Sequence, residues 1–316
     1  MTSPVTPPAY HGGMKLNTFI PSLTVGDPVG AANLTMHPLL AGHDSPASYA
    51  TLDEALSAGF VEITEVSEAG QVPALMFLNN GTVPVLVIDG EELVGAKQNR
   101  IVNLTILVPA KTRLRVPVTC VEAGRWSLRS RAFSAAGRAH YASARAMKME
   151  QVSCCLRSTG ERFADQGAIW DDIGAKSARM GAHSATQAAA ALNERARLDL
   201  DRFHAGLEPL PNQVGAMFEI DGAIVGLELF DSASTWRKSM RKIVESYGLD
   251  ALDRGQGPRA RTHADPAMFL ASLGETEVER FRAIGLGSDL RLEAPHVAGA
   301  ALAVDDRLVH VLAFAR

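Results

Sequence analysis

The densest group of chemically reactive side chains lies between residues 89 and 100 of this 316-residue chain. It contains two neighbouring acids, a lysine, two amides and an arginine: Glu91, Glu92, Lys97, Gln98, Asn99 and Arg100. Apolar, strand-like runs at residues 84–88 and 101–108 flank it on both sides. Polar side chains held between buried strands are a common arrangement for a binding or catalytic site. A solvated hairpin crossed by salt bridges is the alternative interpretation of the same residues.

Glu91 and Glu92 are the candidate catalytic residues. Adjacent side chains of a strand point to opposite faces, so only one of the two can enter a given pocket. A glutamate opposite an arginine would have a depressed pKa and would anchor hydroxyls or phosphates. A glutamate among apolar side chains would have a raised pKa and could act as a general acid or base. The same alternation predicts that the later residues divide into two pairs, Lys97 with Asn99 and Gln98 with Arg100.

A second group of polar residues follows the predicted strand at residues 114–121. Glu122, Arg125 and Trp126 combine an acid, a guanidinium and an indole, which can bind a planar or sugar-like ligand by stacking and hydrogen bonding. Trp126 as a cover for the core is an equally good interpretation. Cys120 is expected to be a small core residue, because no nearby histidine would activate its thiol.

Two weaker candidates lie on predicted helices. A helix that starts near Gln166 could cap such a site, although a solvated first turn is the simpler interpretation. The basic residues that follow Trp236, including Arg241 and Lys242, are predicted to form a solvated helix face.

Composition and motifs exclude several classes of protein. The chain has 31 basic and 35 acidic residues, a net charge of −4, which argues against nucleic acid or an anionic membrane as partner. It has no apolar run of transmembrane length, and its first residues lack a signal peptide, so we expect a cytoplasmic protein. Its three cysteines and nine histidines show no metal-binding spacing, and glycine-rich nucleotide motifs are absent. We therefore predict neither a metal nor a cofactor, and the sequence does not reveal the oligomeric state.

Hydrophobic periodicity predicts an α+β fold, with mostly antiparallel sheets from the N- and C-terminal parts and a helical middle segment. After a disordered lead-in at residues 1–13, a single domain over 14–316 is expected. It would be β-rich at 16–127, helical at 134–206 and mixed at 214–316. The expected strands are 18–25, 33–40, 60–65, 74–78, 83–88, 100–108, 114–121, 217–221, 223–230, 297–304 and 308–314. The expected helices are a short one from Thr51 and those at 139–157, 164–180, 185–204, 232–247 and 266–273.

Two turns and one helix end are specific enough to predict. Asn79-Asn80-Gly81 is expected to join strands 74–78 and 83–88 into a hairpin. Asp221-Gly222 is expected to do the same for strands 217–221 and 223–230. Gly248 suits the position just after the end of helix 232–247. The Asp89-Gly90 and Asp221-Gly222 segments also resemble each other, either as a trace of duplication or, more simply, because Asp-Gly is a good turn.

The segments 88–101 and 116–126, with Val108-Pro109-Ala110 between them, resemble a bacterial domain family named for its association with ADP-ribosylglycohydrolases and rhodanese-like phosphatases. The similarity runs from about Leu16 to the end of the chain, and its distinctive parts are Gly-Glu-Glu-Leu…Gly-x-Lys-Gln-Asn-Arg and Cys-x-Glu-x-Gly-Arg-Trp. The resemblance implies a role near the metabolism of NAD-derived ADP-ribose and no particular reaction. The matching polar positions are Glu91, Glu92, Lys97, Gln98, Asn99, Arg100, Glu122, Arg125 and Trp126.

Two hypotheses of function follow. In the first, the protein binds or processes an ADP-ribose-like or phosphorylated nucleotide-sugar ligand in NAD-linked metabolism. Arg100 and Lys97 would hold phosphate, Gln98 and Asn99 would hold hydroxyls, and Trp126 would stack. Glu91 or Glu92 would be the acid or base if hydrolysis occurs. In the second, the protein is a non-catalytic interaction or scaffold protein whose polar cluster is a structural hydrogen-bond network.

Overall fold

The computed structural model describes residues 16–18, 23–43, 45–67, 73–205, 207–254, 265–305 and 307–316. The predicted lead-in at residues 1–13 lies outside this part of the chain. A 3₁₀ turn spans Leu16–Thr18. The helices within the described residues are α1 (Leu52–Ser57), α2 (Ala142–Thr159), α3 (Gln166–Met180), α4 (Ala190–His204), α5 (Ala233–Asp253) and α6 (Pro266–Gly274).

The strands of the N-terminal part are β1 (Leu23–Val25), β2 (Val29–Ala31), β3 (Leu34–Ala41), β4 (Ala50–Thr51), β5 (Val61–Glu65), β6 (Ala74–Asn79), β7 (Val85–Val87), β8 (Glu91–Gly95), β9 (Arg100–Val102), β10 (Ile106–Val108), β11 (Thr112–Cys120) and β12 (Phe133–Ala139). Those after the helical segment are β13 (Gln213–Ile220), β14 (Ala223–Phe230), β15 (Glu277–Arg282), β16 (Ser288–Ala294), β17 (Val297–Val304) and β18 (Arg307–Ala315).

These strands form three sheets, in which every pairing but β4 with β7 is antiparallel. The nine-stranded sheet has the order β1-β3-β13-β14-β18-β17-β16-β15, with β2 on β3. The six-stranded sheet has the order β12-β8-β9-β11-β6-β5, and the three-stranded sheet has the order β10-β7-β4. A bridge between Thr64 and Ala132 brings the two edges of the six-stranded sheet together, so that this sheet curls around its own apolar core. The helical segment packs on the nine-stranded sheet, and the predicted α+β fold is confirmed. No helix in the described residues is long and apolar enough to cross a membrane.

The Asn79-Asn80-Gly81 hairpin prediction is wrong. β6 pairs with β5 and β11, whereas β7 pairs with β4 and β10 in another sheet. The buried Asn79 side chain explains the difference, because it accepts from Gly81 N and donates to Val83 O and Pro109 O. These bonds hold the chain in a crossing between sheets, where a two-residue turn would have reversed it. The Asp221-Gly222 hairpin is confirmed, with φ of +52° and +78° at the two turn residues. The Asp89-Gly90 segment joins strands that do not pair, so its similarity to Asp221-Gly222 is limited to the local turn.

The expected strand at residues 100–108 is two strands in different sheets. Between the two strands the chain leaves the sheet, and side chains from other parts of the molecule bind its backbone groups. Lys148 donates to the carbonyl groups of Val102 and Asn103, and the Asn103 side chain donates to Arg162 O and accepts from Thr119. The uninterrupted apolar character of this segment arises because both strands are buried, which periodicity alone does not distinguish from one long strand.

The long helix α5 extends past Gly248 to Asp253, so the predicted helix end is wrong. A Cβ on Gly248 would lie 3.0 Å from Leu200 and from Phe203 of α4. The glycine therefore allows two helices to approach closely and does not terminate α5. The strands β12, β15 and β16 were not predicted, nor were the short strands β2 and β4. Strand β12 contains a bulge with Gly137 at φ +68°, which interrupts the alternation on which the prediction depends.

Candidate functional site

Residues 96–99 form the loop of a hairpin between β8 and β9. Gly95 has a φ of +134° and Ala96 a φ of +37°, so the backbone leaves the extended conformation before Lys97. The predicted strand alternation of Lys97, Gln98 and Asn99 is therefore wrong. Their directions are set by the loop and by the residues around which it folds.

Arg125 is the centre of that loop. Its Nη1 donates to Ala96 O at 2.7 Å and to Ser127 O at 2.9 Å, and its Nη2 donates to Asn99 Oδ1 at 3.1 Å. Nη2 also lies 2.6 Å from the Glu122 carboxylate. The side chain is buried, so these contacts together replace the water that a charged guanidinium would otherwise bind. Arg125 thus holds the shape of the loop.

Glu122 connects the loop to the start of the α4 region. One carboxylate oxygen accepts from Asn99 N at 3.1 Å and pairs with Arg125, and the other accepts from Thr186 Oγ1 at 2.7 Å. Burial alone would raise the pKa of Glu122, but the bonds from Arg125, Thr186 and Asn99 hold it below its usual value. The group is therefore an ionised acceptor and a poor proton donor.

The two candidate catalytic glutamates point to different elements. Glu91 Oε1 accepts from Lys242 of α5 at 2.6 Å, and burial raises the pKa of Glu91 despite this partner. Glu92 Oε2 accepts from Arg138 Nε at 2.6 Å, and its Oε1 accepts from Arg138 Nη2 at 3.1 Å. Lys242 is buried between Glu91 and Asp53, so the predicted solvated face of α5 is wrong at this residue. Arg241 is 69% exposed and does lie on the solvent side.

Asp89, the first acid of the motif, lies in a separate buried network. Its carboxylate accepts from Arg145 Nε at 3.2 Å and pairs with Lys148 at 2.5 Å. Gly90 follows with a φ of +76°, and a Cβ there would lie 2.7 Å from the Arg145 side chain. The acidic motif as a whole therefore docks against α2, β12 and α5 through three separate sets of ion pairs.

A cavity of about 330 Å³ opens beside Glu122. We call it the Glu122 cavity. Its polar lining residues are Asn99, Glu122, Arg129, Arg138, His183, Ser184, Thr186 and Glu194. A second cavity of about 270 Å³ along α4 shares Arg138 and Glu194 with it, and also meets Arg197 and Arg241. The two adjoining cavities form a polar groove between β12 and α4.

Two arginines line this cavity with hydrogen-bonding capacity to spare. Arg138 is fixed by its two bonds to Glu92, and its remaining nitrogen, Nη1, has no partner among the described residues. The Arg129 side chain is 58% exposed, and its Nη2 lies 3.9 Å from Glu122 Oε1. An anionic group in the cavity could accept from both, while the ionised Glu122 could accept from a hydroxyl.

Lys97, Arg100 and Trp126 lie together outside the Glu122 cavity. Lys97 Nζ is 5.3 Å and Arg100 Cζ 5.7 Å from the centre of the half-exposed Trp126 ring. Gln98 accepts from Arg100 and Cys120 and donates to Glu122 O. Gln166, the weaker candidate, bonds both backbone groups of Cys120, so the start of α3 does contact this cluster.

Of the nine predicted site residues, the structure thus brings Asn99 and Glu122 to the cavity, and Glu92 reaches it through Arg138. Gln98 and Arg125 support the loop, Lys97, Arg100 and Trp126 form the neighbouring cluster, and Glu91 faces α5. Sequence reasoning missed the cavity residues Arg129, Arg138, His183 and Glu194. The basic residues between 125 and 138 are visible in the sequence, but nothing there shows that the following strand carries a bulge. Among the described residues, no group of three His, Cys, Asp or Glu side chains is arranged to hold a metal ion.

A family model described as the ARG and Rhodanese-Phosphatase-superfamily-associated Protein domain matches residues 22–314 of the chain. Comparisons with curated proteins and with solved structures found no match to it.

Proposed function

The chain belongs to the ARG and Rhodanese-Phosphatase-superfamily-associated Protein domain family, and from that premise we propose that it binds an ADP-ribose-like or other phosphorylated nucleotide-sugar ligand in the Glu122 cavity. The observation that carries the proposal is the lining of the cavity. Arg129 and Arg138 line the cavity with guanidinium donors that can still bind a ligand, and the ionised carboxylate of Glu122 lies beside them.

The cavity offers complementary groups for such a ligand. Guanidinium groups bind phosphate oxygens through paired hydrogen bonds, and Arg138 is already oriented by Glu92. An ionised carboxylate such as that of Glu122 can accept hydrogen bonds from the hydroxyl groups of a sugar. The adjoining cavity along α4 gives room for the part of the ligand that extends beyond the phosphates. The association with ADP-ribosylglycohydrolases in the family's description favours ADP-ribose as the first ligand to test.

Binding is a better-supported activity than hydrolysis. Glu91 pairs with Lys242, Glu92 with Arg138 and Glu122 with Arg125, so each candidate acid is engaged in an ion pair. A general acid or base needs a carboxyl whose proton can move to or from the substrate. Glu91, whose pKa is raised by burial, is not among the residues that line the Glu122 cavity.

Isothermal titration calorimetry with ADP-ribose tests the proposal. The wild type should bind, and Arg129→Ala should weaken binding about tenfold or more, the usual effect of removing a charge-assisted hydrogen bond. Arg131→Ala also removes an exposed charge from the same segment, but outside the lining, and serves as the matched control. Its affinity should equal that of the wild type. An absence of binding by the wild type, or equal losses in both variants, would contradict the proposal.

A structural role for the polar cluster is the second candidate function. The hydrogen bonds and the ion pair that Arg125 makes within the molecule favour it. In that case the protein is a non-catalytic interaction or scaffold protein and the loop is only a rigid joint. Calorimetry with ADP-ribose distinguishes the two candidate functions, because a scaffold protein should give no heat of binding in the wild type or in any variant.

A further inference from the structure

Arg100 is a fully buried cation, and no carboxylate of the described residues pairs with it. Its side chain is 0% exposed. Nη1 donates to Gln98 Oε1 at 2.9 Å and to Cys120 Sγ at 3.0 Å, and both acceptors are neutral groups. Nε and Nη2 have no hydrogen-bond partner among the described residues. A buried charge without an opposite charge is costly, and a bound ion is one partner that would offset this cost.

Other arginines of the same chain show which groups bind to the edge of the guanidinium that is formed by Nε and Nη2. Arg138 uses Nε and Nη2 to bind both oxygens of Glu92, and Arg179 binds both oxygens of Asp253 in the same way. Arg157 places the same two nitrogens on Glu279 and Glu293. In all three arginines this edge of the guanidinium receives oxygens of carboxylates. In Arg100 the same edge is buried, and neither of its two nitrogens has a hydrogen-bond partner in the described part of the chain.

The neighbours of Arg100 do not supply the missing negative charge. Burial raises the pKa of the Cys120 thiol, with the nearby Arg100 only partly opposing it, so the sulfur is a thiol at neutral pH. Its proton is directed at Gln98 Oε1, 2.7 Å away. The Trp126 ring, 5.7 Å from Arg100 Cζ, gives a cation–π contact that compensates in part.

We propose that the Nε–Nη2 edge of Arg100 is a binding site for a small oxyanion, a phosphate, sulfate or carboxylate group, and that the Trp126 indole covers this site until the anion enters. The two N–H groups of this edge can donate parallel hydrogen bonds to two oxygens of such a group. The 49% exposure of Trp126 leaves its ring free to move toward solvent. Lys97, stacked on the same ring, adds a second positive charge at the entrance. The site is separate from the Glu122 cavity and does not depend on the ligand proposed there.

Thermal unfolding in sodium phosphate, compared with sodium chloride at equal ionic strength, tests this site. An anion that binds only the folded state raises the Tm as its concentration increases. The wild-type Tm should therefore rise with phosphate beyond its rise in chloride. In Trp126→Ala the cover is removed, and the half-maximal shift should occur at about fivefold lower phosphate concentration, the effect of a lost cation–π contact.

Three further variants assign the response to Arg100. Arg100→Lys keeps the charge but lacks the paired N–H groups, so the phosphate-specific shift should fall to less than half, while the matched exposed change Arg131→Lys should leave it intact. Arg129→Ala should retain more than half of the shift; its complete loss there would assign the phosphate to the Glu122 cavity and overturn the proposal. Should Arg100→Lys fail to fold, the comparison of the wild type with Trp126→Ala is sufficient. Equal Tm values in phosphate and chloride for both of those proteins would overturn the proposal as well.

Discussion

At the scale of single residues, most of the polar side chains that stand out in the sequence are paired inside the molecule. Asp89 pairs with Arg145 and Lys148, Glu91 with Lys242, and Glu92 with Arg138. The acids lie within four consecutive positions, but their partners lie on three other elements. Burial in pairs is the condition under which acids and bases can enter a protein core. The guanidinium groups of Arg100, Arg129 and Arg138 keep hydrogen-bond donors that these pairs do not use. We therefore propose that ligands bind to these three residues.

Glu91→Gln should destabilise the protein by about 3 kcal/mol, because it leaves Lys242 buried with a single remaining partner, Asp53. Urea unfolding measures the change. Glu62→Gln, on an exposed position of β5, is the control and should change stability by less than about 0.5 kcal/mol. A loss as small as that of the control would show that the Glu91–Lys242 pair is not part of the core.

His140 should make the protein less stable in mild acid. Burial, followed by the positive charges of Lys148 and Lys176, lowers the pKa of His140 from 6.5 to about 3. The unfolded chain binds a proton near pH 6.5 and the folded protein does not, so stability falls as the pH decreases from 6.5 towards 3. This one group contributes at most about 1.4 kcal/mol per pH unit.

Urea unfolding at pH 6.5 and pH 5 measures the contribution of His140. His140→Phe should reduce the loss of stability between the two pH values, whereas His43→Gln at an exposed position should leave it unchanged. An identical pH dependence of the wild type and His140→Phe would contradict the assignment.

At the scale of elements, the turn at Asp89-Gly90 determines how the N-terminal sheets meet α2. Gly90 needs a positive φ and also has Arg145 against the position of a Cβ. His140 N and Gly90 N both bond across this turn, to Gly90 O and Val102 O respectively. The turn is therefore fixed by its backbone as well as by the ion pairs of Asp89.

Gly90→Ala should be more destabilising than Gly59→Ala. Both residues have a positive φ, +76° and +73°, which costs an alanine about 1–2 kcal/mol. Only Gly90 has a neighbour within 4 Å of the added Cβ, and displacement of the buried Arg145 adds about 1–3 kcal/mol. The free energies of unfolding from urea titrations give the comparison. An equal loss of unfolding free energy in the two variants would show that the Arg145 side chain moves aside at no energetic cost.

The elements also show what a single sequence can predict. The hairpin around Asp221-Gly222 could be predicted, because its turn residues and flanking strands are adjacent in the chain. The route of the chain after Asn79 and after Val102 could not, because it depends on side-chain bonds to residues far away, such as Arg162 and Lys148. For the same reason the sequence placed a site near Glu122 but did not include Arg138.

At the scale of the whole molecule, a closed ring of buried polar contacts joins the three sheets. Arg145 of α2 binds Asp89 at 3.2 Å and lies 2.7 Å from Glu228 on β14. Glu228 pairs with His310 on β18, which contacts Thr105 at 2.7 Å, and Thr105 accepts from the backbone of Asp89. Every member is less than 10% exposed. The ring connects the turn between β7 and β8, which belong to different sheets, with the segment before β10 and with the nine-stranded sheet.

Because of this ring, the wild-type sheets should unfold together. Native-state hydrogen exchange should give equal opening free energies for the central amides of β9 and of β17. Arg145→Met removes the connecting cation and leaves Asp89 and Glu228 with their other partners, Lys148 and His310. The two sheets should then differ in opening free energy, with the smaller value in β9. Coincident values in Arg145→Met would contradict a coupling role for the ring.

Hydrogen–deuterium exchange of the wild type with and without saturating ADP-ribose tests whether the Glu122 cavity binds a phosphorylated nucleotide-sugar. Binding there should slow exchange in residues 122–138 and 183–194, which surround the cavity. Exchange should be unchanged in β15 and β16 on the distant edge of the nine-stranded sheet. Unchanged exchange around the cavity, or protection confined to other parts of the chain, would contradict binding in this cavity.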